Sequence, residues 1–164
     1  MTESPEETTL VIIEPRIPNI GGWLIFLIVV LALGIPGNVQ RSIQETRRAI
    51  GPSLAHNPSL DTPLDIFTYL EGGVALVSLY CAYVLFAKVP GAAMLAKRSL
   101  ILMCAMQVAA NLVFPIFAAP GDVGPGQWAI TNFTLWRLVG PLIFPAIWYT
   151  YLSRSKRVRG TYAD

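Results

Sequence analysis

The 164-residue chain is 54% apolar and only 13% charged, with a mean hydropathy of +0.54; an ordinary soluble domain is roughly 25% charged. This balance excludes a disordered chain, which needs low hydrophobicity and high net charge, and a net charge of +2 leaves no basic face for nucleic acid. The composition is that of an integral membrane protein.

The chain opens on an acidic stretch, residues 1–18, which reads as a flexible tail. Its Glu3, Glu6, Glu7 and Glu14 stand against a single Arg16, the reverse of the cationic start of a secretory leader. Beyond it, four stretches supply the ~20 mainly apolar residues that a helix needs to cross the hydrocarbon, where lipid offers the backbone no hydrogen-bond partner. Residues 17–40 hold no charge, 66–87 hold Glu71 alone, 99–121 hold none, and 123–153 hold Arg137 alone. The helices are expected at about 19–39, 63–88, 92–119 and 130–153, forming one membrane domain over about 19–154 with a basic tail after it, about 155–164. A soluble bundle would carry a polar stripe on each helix, and these runs are apolar all round. The prediction is an all-α, four-transmembrane-helix bundle.

Local signals mark the boundaries. The first connection, about residues 41–62, is the only sizeable polar segment. Val39, Ile43 and Ile50 share one helical face there, with Arg41, Gln44, Arg47 and Arg48 around the rest. Both a short interfacial helix and a solvated loop fit that pattern. Thr62-Pro63-Leu64-Asp65 resembles a capping box, with Thr62 as N-cap of the second helix. Lys88-Val89-Pro90-Gly91 ends that helix, and Pro120-Gly121 ends the third. Pro115, Pro141 and Pro145 lie within spans and are expected to kink them. Trp23, Trp128, Trp148, Tyr149 and Tyr151 fall near span ends, where amphipathic rings favour the headgroup level.

Lys and Arg accumulate in cytoplasmic connections. Four helices place both termini and the middle connection on one side. That side holds Arg16, Lys88, Lys97, Arg98, Arg154, Lys156, Arg157 and Arg159; the other holds Arg41, Arg47 and Arg48. Eight cations against three predict both termini in the cytoplasm. The cytoplasmic basic tail, Arg154, Lys156, Arg157 and Arg159, reads first as a topology anchor beside anionic headgroups.

Charges such as Glu71 and Arg137 are costly inside a membrane, where an Arg, Lys or Asp at mid-helix costs roughly 2.5–3.5 kcal/mol on the insertion scale, so such groups normally face the bundle and pair. The second and fourth helices run in the same direction, which sets Glu71 and Arg137 at depths of about 7.5 and 9 Å. The antiparallel third helix brings Asn111 to about 12 Å, with Gln107 one turn deeper. An intramembrane polar cluster of Glu71, Arg137, Asn111 and Gln107 is therefore expected. Three readings of it stand: a clasp that aligns the helices, a polar pathway for an ion, proton or anionic solute, and two groups that snorkel separately.

Other chemistry is sparse. His56 is the only histidine, so no intramembrane base exists for a Ser-His or Cys-His nucleophile. Cys81 and Cys104 lack metal-ligand spacing and read as small packing residues. Asn132-Phe133-Thr134 matches a glycosylation triplet but sits at a helix start near the bilayer. Gly21-Gly22, Gly72-Gly73, Ala75 and Gly140 would let backbones approach closely. No phosphate loop or dinucleotide fingerprint is present, and no catalytic residue, metal or cofactor is predicted.

The Ile20-Gly21-Gly22-Trp23-Leu24 opening and the ending Ile147-Trp148-Tyr149-Thr150-Tyr151-Leu152-Ser153-Arg154-Ser155-Lys156-Arg157-Val158-Arg159-Gly160-Thr161-Tyr162 resemble the DUF2569 family of small bacterial inner-membrane proteins. The resemblance spans residues 20–162 and is most specific at the tail. Arg159 and Tyr162 depart from the family's usual Lys and Phe, keeping charge and aromaticity. The family also resembles this chain in an acid early in the second helix and a basic residue in the fourth, here Glu71 and Arg137. Through the middle only the hydropathy pattern matches, so Gln107 and Asn111 gain no support. The resemblance implies four helices in a bacterial cytoplasmic membrane and no particular activity. The leading functional expectation is a non-enzymatic accessory or scaffold protein that contacts another membrane protein or lipid, or self-associates. The alternative is a small oligomeric transporter or channel-like protein using the Glu-Arg pair. An intramembrane enzyme stands third.

Overall fold

The computed structural model describes residues 22–54, 58–117 and 127–162; the side chains at 53, 114–117, 127–138, 157 and 160 lie outside that description. The described residues are all helical or in turns, with no strand among them. The elements are α1 (Gly22–Val29), a π-helical turn (Val30–Gly34), α2 (Ile35–Leu54), a 3-10 turn (Pro58–Leu60), α3 (Asp61–Phe86), α4 (Ala92–Phe117), α5 (Gln127–Arg154) and α6 (Lys156–Tyr162). Among the described residues three helices are long and apolar enough to cross a membrane: Gly22–Pro52, Pro58–Phe86 and Ala92–Val113.

The core is built from a repeated 3-4 spacing. On α3 the buried Leu64, Phe67, Glu71, Val74, Ser78, Cys81 and Leu85 form an unbroken heptad seam, with Pro63, Ala82 and Val84 buried beside it. The facing seam of α4 is Ala92, Ala96, Ser99, Met103, Met106, Ala110 and Val113, all buried except the half-buried Met106. Such spacing keeps two helices in contact along their whole length. The alanines and serine of α4 permit the close approach that substitutes for a hydrophobic driving force in lipid. Gly73 contributes from α3, since a Cβ there would strike the Met106 side chain. Gly72 has open space around it.

The first helix shows why a π turn sits in its middle. Pro36 lacks an N–H, and its ring would clash with the carbonyl four residues earlier. The π turn widens the helix at that point, with the Ile35 N–H reaching back to the Val30 carbonyl. The extra residue also changes which face is buried. Leu24, Leu27 and Leu31 are buried in α1 and the π turn. Continued without a bulge, their spacing would fall on Gly34, Asn38, Arg41 and Glu45, which are all exposed. Shifted by one residue it falls on Ile35, Val39, Ser42 and Thr46, which are all buried or half-buried. The bulge thus keeps one continuous face on α3 while turning Arg41 and Glu45 outward.

This corrects the expected first connection. Residues 41–54 are neither a solvated loop nor a separate interfacial helix; they continue the first helix to Leu54 and pack on α3. From Gly22 to Leu54 the helix runs about 50 Å, well beyond the ~30 Å hydrocarbon. Thr62 is likewise not the N-cap: α3 starts at Asp61, behind Leu60, whose side chain makes no cap bond. The 3-10 turn feeds straight into the helix, and Asp61 sits in its first turn, where an acid complements the helix dipole.

At the opposite end, Lys88 (φ 51°) and Gly91 (φ 72°) turn the chain from α3 into α4. The Val89 N–H reaches the Val84 carbonyl at 3.3 Å, the six-to-one bond of a Schellman ending with Lys88 in the left-handed position. Trp148 of α5 is 6% exposed and meets Trp23 and Phe26 of α1 at ring distances of 6.5 and 6.1 Å. It also meets the Phe144 ring at a tilt and the Tyr151 ring edge-on, at 6.2 and 5.5 Å. The expected headgroup anchor is a packing residue that ties α1 to α5, and Trp23 keeps the exposed position.

Candidate functional site

Two polar regions lie at opposite ends of the bundle. The first surrounds Glu71, which is 5% exposed and occupies a core position of the α3 seam. Its level follows from the antiparallel register. Cys81 Sγ lies 4.0 Å from the Ala96 carbonyl, and Gly73 lies against Met106. Two residues beyond Gly73, Glu71 is level with Gln107, which is half-buried. Asn111 sits one turn further, and its Nδ2 donates to the Gln107 carbonyl at 2.7 Å. One of its donors is therefore spent within its own helix. Arg137 belongs to the backbone of α5, but its side chain lies outside the described residues, as does any contact it makes with Glu71.

Counting equal rises away from the turn between α2 and α3 sets Glu71 level with about Gln44. At that level α2 presents Arg41, Arg47 and Arg48 outward, and Ser42 and Thr46 inward and buried. A bilayer entered at Trp23 would end ~20 residues later, near Ser42. On that placement Glu71 would fall near the hydrocarbon boundary rather than a third of the way in. Ser42 and Thr46 have no counterpart among the expected site residues. The face they share is concealed in the sequence by the one-residue shift of the π turn.

The second region is cationic. Lys88, Arg98, Arg154, Lys156 and Arg159 are exposed at the α3–α4 end, and Lys97 Nζ lies 5.8 Å above the Tyr149 ring, a cation–π distance. The chain has no Asp or Glu between residues 72 and 121 or between 123 and 163. The side chain of Arg157 lies outside the described residues.

The expected basic tail is folded rather than trailing. Ser155 interrupts the helix after Arg154, and its Oγ accepts the Val158 N–H at 3.4 Å, an N-cap bond that restarts the chain as α6. Val158 is 1% exposed and belongs to the main core. Tyr162 Oη donates to the Leu85 carbonyl at 2.6 Å. Leu85 lies in the last turn of α3, where carbonyls lose their intrahelical partners, so a residue 77 positions away completes that helix end.

Burial, with Cys81 and Tyr151 close by, pushes the Tyr162 phenol up to about 12. A raised phenol favours its neutral form in the folded chain. Its stabilising contribution is therefore complete below the unfolded value of about 10 and is lost as pH rises through about 12. We expect α6 to stay docked up to about pH 10 and to release over the next two units. Proteolytic access to residues 154–159 across that range measures the release, and Tyr162→Phe should erase the step.

Among the described residues no group of three or more His, Cys, Asp or Glu could hold a metal ion. Cys81 is buried and Cys104 half-buried, both as free thiols. The family described as "Protein of unknown function (DUF2569)" matches residues 17–163. No curated protein and no solved structure matches the chain. Only the first sixteen residues and the last fall outside the family match, and the chain belongs to the DUF2569 family.

Proposed function

We propose that the protein is a four-span accessory or scaffold protein of a bacterial cytoplasmic membrane, with both termini in the cytoplasm and α5 as the fourth span. It works by lateral contact with another membrane protein or with lipid. The observation that carries this reading is the thinness of the core relative to the apolar exterior. Even the most enclosed span, Pro58–Phe86, has only 39% of its most apolar stretch buried. The exposed remainder includes Leu76, Tyr80, Tyr83 and Phe86 on α3 and Leu142, Ile143 and Ile147 on α5. Lipid or a partner helix must cover that surface. The charge distribution supports the orientation, since cations without interspersed acids gather at the α3–α4 end.

A reporter fused at the C-terminus tests the orientation: a cytoplasm-active tag should work there and an export-dependent tag should not. Extraction in mild detergent tests the role, with a stoichiometric membrane partner as the expected result. The transport reading draws on Glu71, a buried carboxylate in a span. It predicts a homo-oligomer whose flux in vesicles depends on external pH and vanishes in Glu71→Gln.

A further inference from the structure

We propose that the α3–α4 end of the bundle carries a built site for the phosphate of an anionic phospholipid headgroup. Lys97 and Arg98 of α4, Arg154 of α5, and Lys156 and Arg159 of α6 form it. The proposal rests on the membrane-span reading above and deepens it.

Three observations converge on this site. The first is rigidity. A trailing basic tail would lose conformational entropy on binding, but α6 is already held by the Ser155 cap, by Val158 in the core and by Tyr162 on the Leu85 carbonyl. With Val158 inward, Lys156 and Arg159, one turn apart, are both exposed. The second is placement. Only Ser155 separates α6 from the end of α5, so α6 leaves the span at headgroup level, and it packs against α4. The third is charge. No acid is interspersed among these cations in residues 72–121 or 123–163, and on their side the competing carboxylates are the N-terminal Glu3, Glu6, Glu7 and Glu14 and the terminal Asp164. A guanidinium or ammonium held at the bilayer surface meets lipid phosphate first.

Thermal unfolding of the full chain in an uncharged detergent tests this, with titration by phosphatidylglycerol, by phosphatidylcholine with the same acyl chains, and by inorganic phosphate. Phosphatidylglycerol should stabilise the protein saturably, and the other two should not at the same concentrations. Arg154→Gln/Lys156→Gln/Arg159→Gln should weaken the apparent affinity by about a hundredfold. Tyr162→Phe keeps every cation but loosens α6, and should weaken it by about tenfold through the lost pre-organisation. If the triple variant does not fold, the salt dependence of the wild-type titration decides, and the affinity must fall as salt rises.

Equal stabilisation by phosphatidylcholine overturns the proposal, as does unchanged affinity in a folded triple variant. Equal stabilisation by inorganic phosphate would reassign the site to a soluble anion. Full affinity in Tyr162→Phe would mean that the cations act without a built site. Binding seen only after deletion of residues 2–14 would make the acidic N-terminal stretch the natural occupant. The C-terminal reporter tests the orientation separately, so a failed titration beside a cytoplasmic reporter overturns the lipid site alone.

Discussion

Val158→Asp releases α6 from the bundle and exposes the cationic segment to protease. Val158 is 1% exposed within the main core, and burying such a side chain contributes about 1.5–3 kcal/mol. An aspartate at the same place adds the cost of an unpaired buried charge. Trypsin cuts after Arg154, Lys156, Arg157 and Arg159, so cleavage follows the population of the open form. A loss of ~2 kcal/mol should raise the rate roughly thirtyfold over wild type. Tyr162→Phe removes one hydrogen bond, worth about 1 kcal/mol, and should raise cleavage several-fold. The spans should remain intact in both variants, because α6 contributes one end of the core and no part of the α3–α4 seam. Equal cleavage of wild type and Val158→Asp would show that the segment trails freely in solution.

The second large effect is expected at Glu71. Glu71→Lys puts an ammonium at a core position of the α3 seam, level with the outward arginines of α2. Breaking a buried pair by removing one partner typically costs about 3–5 kcal/mol, enough to abolish folding of a marginally stable domain. If Glu71 and Arg137 form the clasp, Glu71→Lys/Arg137→Glu restores most of the folded yield. Monodisperse recovery in mild detergent, with a helical circular dichroism spectrum, is the readout. A double variant no better than Glu71→Lys removes the clasp. A tolerated Glu71→Lys means that folding does not depend on a paired carboxylate at this position.

The helical architecture was open to sequence reading because lipid imposes it. Backbone groups without water must bond within their own segment, so long uncharged runs have one solution: the three described spans overlap those runs, and the first continues beyond its run to Pro52. The exceptional charges were legible for the same reason. Glu71 stands out in residues 66–87 because every neighbour is uncharged, and it occupies a buried seam position. The face each span buries was harder to read. Runs that are apolar all round carry no amphipathic stripe, so neither the α3 seam nor its α4 counterpart contrasts with its surroundings.

The amino-acid sequence by itself determined that the chain is helical, with apolar runs long enough to cross a membrane, and that Glu71 stands alone among uncharged neighbours. Hydropathy and the cost of burying charge act on composition along one helix and need no partner. The tertiary structure alone decided three further things. Pro36 forces a π turn whose extra residue moves the buried face from Arg41 and Glu45 to Ser42 and Thr46. The α3–α4 packing puts Glu71 at a buried seam position, level with the half-buried Gln107. The last residues fold back, because Tyr162 finds an unpaired carbonyl on a helix 77 residues away. Each of these depends on a contact between distant segments, and such a contact leaves no periodicity in either segment alone.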